Sequence, residues 1–563
     1  MLSKLIIDEI SLLWPKDKKE YVKVTKRLSA ETINDLSLDY ICSQISNNEC
    51  EIGWAKEVLT CITLSKEVVK YRQDIFEDIY KSEGFRKELL SLLEKLNYLY
   101  ELSGRKNRYS EVSIWHLVSR LRELESYVEC IVEMKECFEK YNVQSSGLKR
   151  LYKLVSSIIS DPGFEALSKD IKGLTIEANS IKSLTFGMNL DSSLMPKEIT
   201  LVSLNNTKFK ESIFLKNLLK FSITMGIKDD NVNKDDFGAS TKLKKLSSDK
   251  ANPVIFHFTK DIEDMMKPTL KNLMQTLDKY VKVNISFLVM IIPELSFFLC
   301  GAELINKLAK AKMPVCKPKI VDSSERVMKI TDVYNAKLAI HMQNEGVENI
   351  NYEIITNTIN FDGKGRIMIL TGANRGGKTT YTQGIGLAQL FLQAGLYIPG
   401  REAELSLVDN IFTHFPADEN QTVELGRLGE EAGRLSEIFK SGSSNSLVLL
   451  NESLSSTSHT EAIYIAKDVV KGLRLLGCKG IYNTHMHELG MMIDEINREV
   501  SGESKVVSYI SATSNGNRSY KVLQGEPEGN SHASDIAIKH GISFEQIAEN
   551  IFRTSNPQQV VQK

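Results

Sequence analysis

The sequence predicts a multidomain fold: an α-helical region carrying a small β insertion, then an α/β domain built on a parallel sheet, then a short helix-turn-helix-like element. Three observations carry this. From about Thr32 to Leu99 apolar residues recur at three- and four-residue spacing with almost no glycine or proline. From Arg366 to about Gly490 strand-like and helix-like segments alternate. The 563 residues exceed what one core accommodates and suggest three or four domains.

The helical spacing is explicit in Val68, Val69, Ile75 and Ile79, then in Leu89, Leu90 and Leu93. It continues from Trp115 to about Ser168, is interrupted at Asp161-Pro-Gly, and resumes from Ala251 to Leu308. Between these blocks Leu184 to Asp191 and Ile199 to Leu204 predict two short strands around a Ser-Ser turn. Residues 227–252 are rich in Lys, Asp, Ser and Asn, hold too few apolar side chains for a core, and predict a mobile loop. The apolar run Phe287 to Gly301 contains Pro293 and Glu294, so it reads as too short and too interrupted to span a bilayer and predicts a buried helix. Near the carboxyl end, Ser531 to Ser543 and Phe544 to Phe552 predict two short helices around Gly541.

Bulk properties exclude little beyond a disordered or fibrous chain. Hydrophobic residues make up 42% and charged residues 25%, an ordinary globular mixture. The formal charge of -1 requires any nucleic-acid partner to be met by a local basic patch. Eight cysteines without a C-x-x-C pair read as reduced thiols of a cytoplasmic protein, and the acidic residues in the first ten positions argue against a targeting peptide.

The chemistry concentrates in one motif. Gly372-Ala373-Asn374-Arg375-Gly376-Gly377-Lys378-Thr379 matches G-x-x-x-x-G-K-[ST], follows the strand-like Ile367 to Thr371, and opens a helical stretch beginning near Thr380. Glycines let backbone N–H groups turn inward around phosphates, a lysine reaches the β- and γ-phosphates, and the threonine hydroxyl ligates Mg²⁺. The motif therefore predicts an α/β P-loop NTPase domain using ATP and Mg²⁺.

Such a loop needs a second strand ending in carboxylates. Leu447-Val-Leu-Leu450-Asn451-Glu452 supplies it, with Asn451 where a magnesium-orienting Asp is the norm. Asn451 brings no negative charge, so it predicts weakened Mg²⁺ affinity beside Thr379 and Glu452. Glu452 is the candidate general base or water-positioning group. Ile481-Tyr-Asn-Thr-His485 predicts a third strand, from which His485 could contact the γ-phosphate. Glu452, His485 and Lys378 are the expected catalytic residues.

Read together, Arg366 to Thr380, Gly395 to Pro399, Asp409 to Thr413, Leu447 to Glu452 and Asn483 to Leu489 resemble, in order and spacing, the MutS ATPase domain. The resemblance covers roughly residues 350–545, including Gly529 to Ala537, which is similar to that family's dimerisation element. It implies an ABC-type ATPase in which a homodimer sandwiches two nucleotides in composite sites. The trans signature segment would lie around Leu425 to Glu431, with Gly426, Arg427 and Gly429 as contacts. More weakly, the helical region resembles the family's core, lever and clamp, with Val69 to Asp78 as an early core helix. The expected layout is then 1–125 helical core, 126–345 levers with a clamp-like insertion at about 180–252, 346–525 ATPase, and 526–563 dimerisation element. Helical sequence from about residue 30 leaves no room for the family's amino-terminal mismatch-reading domain, and no nuclease module is evident.

On charge alone Lys242, Lys244 and Lys245 read as a solvated loop balanced by Asp229, Asp230, Asp235, Asp236 and Asp249. The family resemblance shifts the expectation to DNA binding through phosphates, with branched DNA as the substrate. The alternative is an ATP-gated scaffold with slow turnover that handles a protein partner.

Overall fold

The computed structural model describes residues 10–15, 25–46, 48–104, 114–208, 271–280, 283, 285–372, 376–416, 426–514, 517–527, 541, 543 and 545–547. Two compact units emerge, each discontinuous in sequence. The first comprises Met1–Ile7, Ser91–Tyr141 and Leu151–Met290, the second Asp8–Leu90, Asn142–Arg150 and Ile291–Lys563.

The first unit is helical. The helix Ile114–Tyr141 packs against Pro162–Ser180, and Tyr127 buries its ring edge-on to Phe164 with centroids 6.2 Å apart. Asp161-Pro-Gly begins a helix: the Asp161 carboxylate accepts from Gly163 N at 2.7 Å, and Pro162 occupies the first helical position, where its missing N–H costs nothing. The helix therefore runs to Ser180, past the expected end near Ser168. The predicted β insertion is an antiparallel hairpin of Ser183–Leu190 and Pro196–Asn205. Asp191 holds its turn by accepting from Ser193 N at 2.8 Å and Met195 N at 2.9 Å. Residues 209–270, with the loop expected at 227–252 and its lysines, lie outside the described residues.

The second unit is organised by a six-stranded sheet. Its strands lie in the order Ile411–His414, Leu447–Asn451, Lys479–Asn483, Ile367–Gly372, Val506–Ser514 and Asn517–Gln524. The first five are parallel and the last pairs antiparallel. Ile367 to Thr371 and Leu447 to Asn451 are buried throughout, as parallel strands covered on both faces must be. Alternation sends Ile367, Ile369, Val448 and Leu450 to one face, under the helices Gly426–Ser441 and His459–Leu476. The opposite face carries Lys378–Ala394, buried along nearly its whole length. Gly386 sets how close that helix lies, because a Cβ there would stand 2.6 Å from Leu36 and 2.9 Å from Leu449.

A second sheet of four strands, ordered Lys319–Val321, Glu402–Ser406, Met328–Val333 and Asn357–Phe361, belongs to the same unit. So does the early helix Lys66–Lys81, capped by Ser65, whose Arg72 is buried under the C-terminal end of Lys378–Ala394. Arg72 donates to Leu13 O at 3.1 Å and to Gln393 O at 3.3 Å, with its guanidinium 4.8 Å from the Trp14 ring centroid. Burial pushes Arg72 down to about 10, so it keeps its charge at neutral pH.

The apolar run near Pro293 is longer than the sequence reading allowed. It forms the 25-residue helix Ser286–Lys310, long enough by length and composition to cross a membrane. Of its most apolar window 72% is buried inside the protein, the position of a core helix. All eight cysteines are free. Gly541 adopts φ 73°, suited to a turn, while 528–540 and most of the predicted terminal helices lie outside the described residues.

Candidate functional site

The carboxyl ends of three adjacent strands form the floor of the site. Lys479–Asn483 lies between the phosphate-loop strand Ile367–Gly372 and Leu447–Asn451, so Asn451 and Asn483 are register partners. The third strand inferred from sequence is thus the middle one, and it carries His485 to the same edge as Glu452.

Backbone geometry builds the loop side. Gly372 has φ 128° and lies against the Ser511 backbone, where a Cβ would come within 3.0 Å of the carbonyl oxygen. Gly377, at φ 84°, precedes the helix Lys378–Ala394, which starts two residues before the expected Thr380. No side chain caps that helix, so its first N–H groups are available to an anion. Ser511 Oγ donates to Gly376 O at 2.7 Å and Lys378 Nζ to Gly372 O at 2.8 Å, bracing the loop. Ala373, Asn374 and Arg375 lie outside the described residues.

Lys378 is buried, which pushes its ammonium below the ordinary value while the Glu452 carboxylate opposes the shift. A phosphate beside it would supply further negative charge. Thr379 Oγ1 donates to Asn451 Oδ1 at 2.9 Å, and Asn483 Nδ2 donates to the same oxygen. Asn483 Oδ1 is buried without a hydrogen-bond partner. This set of neutral oxygens beside a carboxylate fits a hard cation that takes its remaining ligands from phosphate and water. Among the described residues no group of three His, Cys, Asp or Glu side chains is placed to hold a metal alone.

Glu452 follows its strand in a left-handed backbone conformation, φ 51°, and its N–H donates to Asn483 O at 2.8 Å. His485 Nε2 lies 2.8 Å from Glu452 Oε1. That hydrogen bond, aided by Lys378, holds the half-buried carboxyl below the usual carboxylate range against the opposing effect of burial. Glu452 is therefore ionised at neutral pH, suited to orienting a water.

These groups open onto a cavity of about 450 Å³ lined by Gly376, Gly377, Lys378, Thr379, Thr380 and Glu452. Ile354, Ile355, Leu338, Met342 and Tyr520 supply an apolar part of the lining. This part is fixed by Asn335, which caps Ala336–Asn344 by accepting from Leu338 N at 3.2 Å and donates to Thr380 O and Gln383 Oε1, both at 2.9 Å. Asn357 holds the Tyr520 strand through Tyr520 O at 3.0 Å and Val522 N at 2.8 Å. Sequence reading missed Asn335, Leu338, Met342 and Tyr520. An Asn before an apolar-periodic run is a capping signal that could have found the first, whereas no local pattern marks Tyr520. Gly429 lies in the helix Gly426–Ser441 and does not line the cavity; 417–425 are outside the described residues.

A family model described as MutS domain V matches residues 368–547, and one described as the MutS2 N-terminal domain matches 65–311. The chain belongs to the MutS family. Similar proteins include DNA mismatch repair protein MutS of Prochlorococcus marinus, 33% identical over 141 residues, which are 25% of this chain and 15% of that protein. The MutS of Chlorobium phaeobacteroides is 32% identical over 154 residues, 27% of this chain and 18% of its own length. DNA mismatch repair protein MSH2 of Saccharomyces cerevisiae is 28% identical over 211 residues, 36% of this chain and 21% of that protein. This member of the family thus matches only 15% to 21% of the length of these relatives.

Proposed function

We propose that this chain binds and hydrolyses ATP and that the resulting cycle of dimer closure and opening acts on DNA. The observation that carries the reading is one cavity at the carboxyl edge of a parallel sheet lined by Lys378, Thr379 and Glu452, with Asn451 hydrogen-bonded to Thr379 and His485 to Glu452 behind them. In this reading the N–H groups at the start of Lys378–Ala394 and the Lys378 ammonium hold the β- and γ-phosphates. The base rests against Ile354, Ile355, Leu338, Met342 and Tyr520. Glu452 orients the attacking water, and His485 holds the Glu452 carboxylate while facing the γ-phosphate. Thr379 and Asn451, with Glu452 nearby, would hold Mg²⁺, which supplies charge neutralisation to the phosphates.

The family supports the remaining parts. A homodimer with composite sites would complete each pocket with the partner's signature segment, for which Gly426, Arg427 and Gly429 are the candidates. DNA is the proposed substrate because the similar proteins are DNA mismatch repair proteins, and branched or structured DNA is the form we favour. The hairpin Ser183–Asn205 would serve as the clamp tip.

Asn451 favours a second reading, an ATP-gated scaffold with slow turnover, since a neutral amide replaces the customary metal-orienting acid. One assay separates the two: ATP turnover alone and with duplex, mismatched and four-way-junction DNA at two salt concentrations. Stimulation by DNA and a salt-dependent gel shift are expected; absence of both removes the DNA reading.

A further inference from the structure

The segment that presents Glu452 is strained. Glu452 and Leu454 both adopt left-handed backbone conformations, at φ 51° and 69°. For residues other than glycine this costs roughly 1–2 kcal/mol each and persists only where surrounding contacts over-determine it. Ser453, between them, is buried. Its hydroxyl lies 2.7 Å from Nδ1 of His414, the last residue of the neighbouring strand, which is equally buried. Tyr482 Oη donates to Ser453 O at 3.4 Å from the other side, and Leu454 is packed into the core.

His414 is itself fixed. Arg434, on the helix Gly426–Ser441, donates to the carbonyls on either side of it, Thr413 O at 3.1 Å and Phe415 O at 3.4 Å. Arg434 also pairs with Asp35 at 2.8 Å. Burial, reinforced by Arg434, pushes the His414 imidazole down to about 4, so the ring stays neutral and the Ser453 contact is present throughout the neutral range.

We infer that His414, acting through Ser453, is a positioning residue that fixes the turn carrying Glu452 and so sets where that carboxylate stands over the γ-phosphate. This inference rests on the hydrolytic reading given above. Neither His414 nor Ser453 lines the cavity, so neither touches nucleotide. Their effect is confined to hydrolysis: without the contact the strained turn relaxes and Glu452 moves, while Lys378, Thr379 and the base pocket stay in place. A displacement of about 1 Å at a reacting centre can lower a rate by as much as roughly 100-fold.

The test compares wild type, Ser453→Ala, His414→Leu, their double variant, His414→Asn and Glu452→Gln. Steady-state ATP turnover is measured beside equilibrium binding of a fluorescent ATP analogue. Ser453→Ala and His414→Leu are each expected to lower kcat by about 10- to 100-fold, with nucleotide affinity and KM within about threefold of wild type. The double variant should lose no more than either alone, because both remove one contact. His414→Asn, whose amide replaces Nδ1, should restore most of the rate. Ser453→Ala deletes a single oxygen and carries the test if His414→Leu does not fold. Wild-type kcat in Ser453→Ala, additive losses, or losses matched by weaker binding would overturn the inference. A wild-type protein that does not hydrolyse ATP, or an active Glu452→Gln, would overturn the hydrolytic reading itself, and the inference would fall with it.

Discussion

The two ends of the six-stranded sheet both bury polar side chains, but they bury them differently. At the carboxyl end Asn451, Asn483, His414 and Ser453 gather beside a cavity, around a turn whose backbone is strained at Glu452. At the amino end Arg366, Ser446 and Lys479 are buried where the strands begin. Ser443 and Ser446 donate to Asp409 at 2.5 and 2.7 Å, and Lys479 Nζ donates to Ser406 O at 3.2 Å. Buried polarity therefore does not mark function by itself. A cavity does not mark it alone either, since another is lined by Arg326, Ser444, Asn445 and Gly477 near the strand starts; what separates the carboxyl end is a helix N-terminus and the Glu452 carboxylate, paired with His485, facing the same cavity.

Three substitutions test this contrast. The largest effect is expected at the carboxyl end from Lys378→Ala, which removes a buried cation facing the proposed phosphates. ATP affinity should fall by on the order of 100-fold or more, with thermal stability little changed, as read by isothermal titration and calorimetry.

At the amino end the expected effect is on stability alone. Burial lowers Lys479 to about 7 from 10.5. Between those values the folded protein holds a neutral amine while the unfolded chain remains protonated, so the unfolded state binds more protons and stability rises with pH across that window. Below about pH 7 the charged amine is buried and its penalty is greatest. Lys479→Met should therefore stabilise the protein at pH 7 by on the order of 2 kcal/mol and flatten the rise in stability between pH 7 and 10, leaving ATP affinity unchanged. Ser406 O keeps a donor in Gln389 Nε2 at 3.3 Å. A loss of ATP binding in this variant would erase the distinction between the two ends.

The smallest effect is expected from Asn451→Asp, which restores an acid at the metal position. The Mg²⁺ concentration giving half-maximal turnover should drop about 3- to 10-fold, measured by metal titration at fixed ATP.

The same contrast explains what the sequence disclosed. The loop Gly372 to Thr379 is contiguous, and its glycines are demanded by backbone geometry, so both the motif and its preceding strand were legible. Leu447 to Glu452 was legible as an apolar run ending in a carboxylate. The buried helix near Pro293 was foreseen, with its pattern ending at Leu308 against an observed end at Lys310, but Pro293 and Glu294 made its apolar run read as too short to cross a membrane. Asn335 at a helix start, His414 at a strand end and Tyr520 within a strand lie far apart in the chain, and only tertiary packing assembles them. The Asp161-Pro-Gly signal was recognised and misread, since the residues that stop one helix also cap the next.

If Glu452 orients the water that attacks a nucleotide held by other groups, Glu452→Gln separates the two roles when turnover and ATP affinity are measured on the same preparation. Turnover should fall by roughly 100-fold or more with ATP affinity at or above that of wild type. Turnover at the wild-type rate would contradict that role for Glu452.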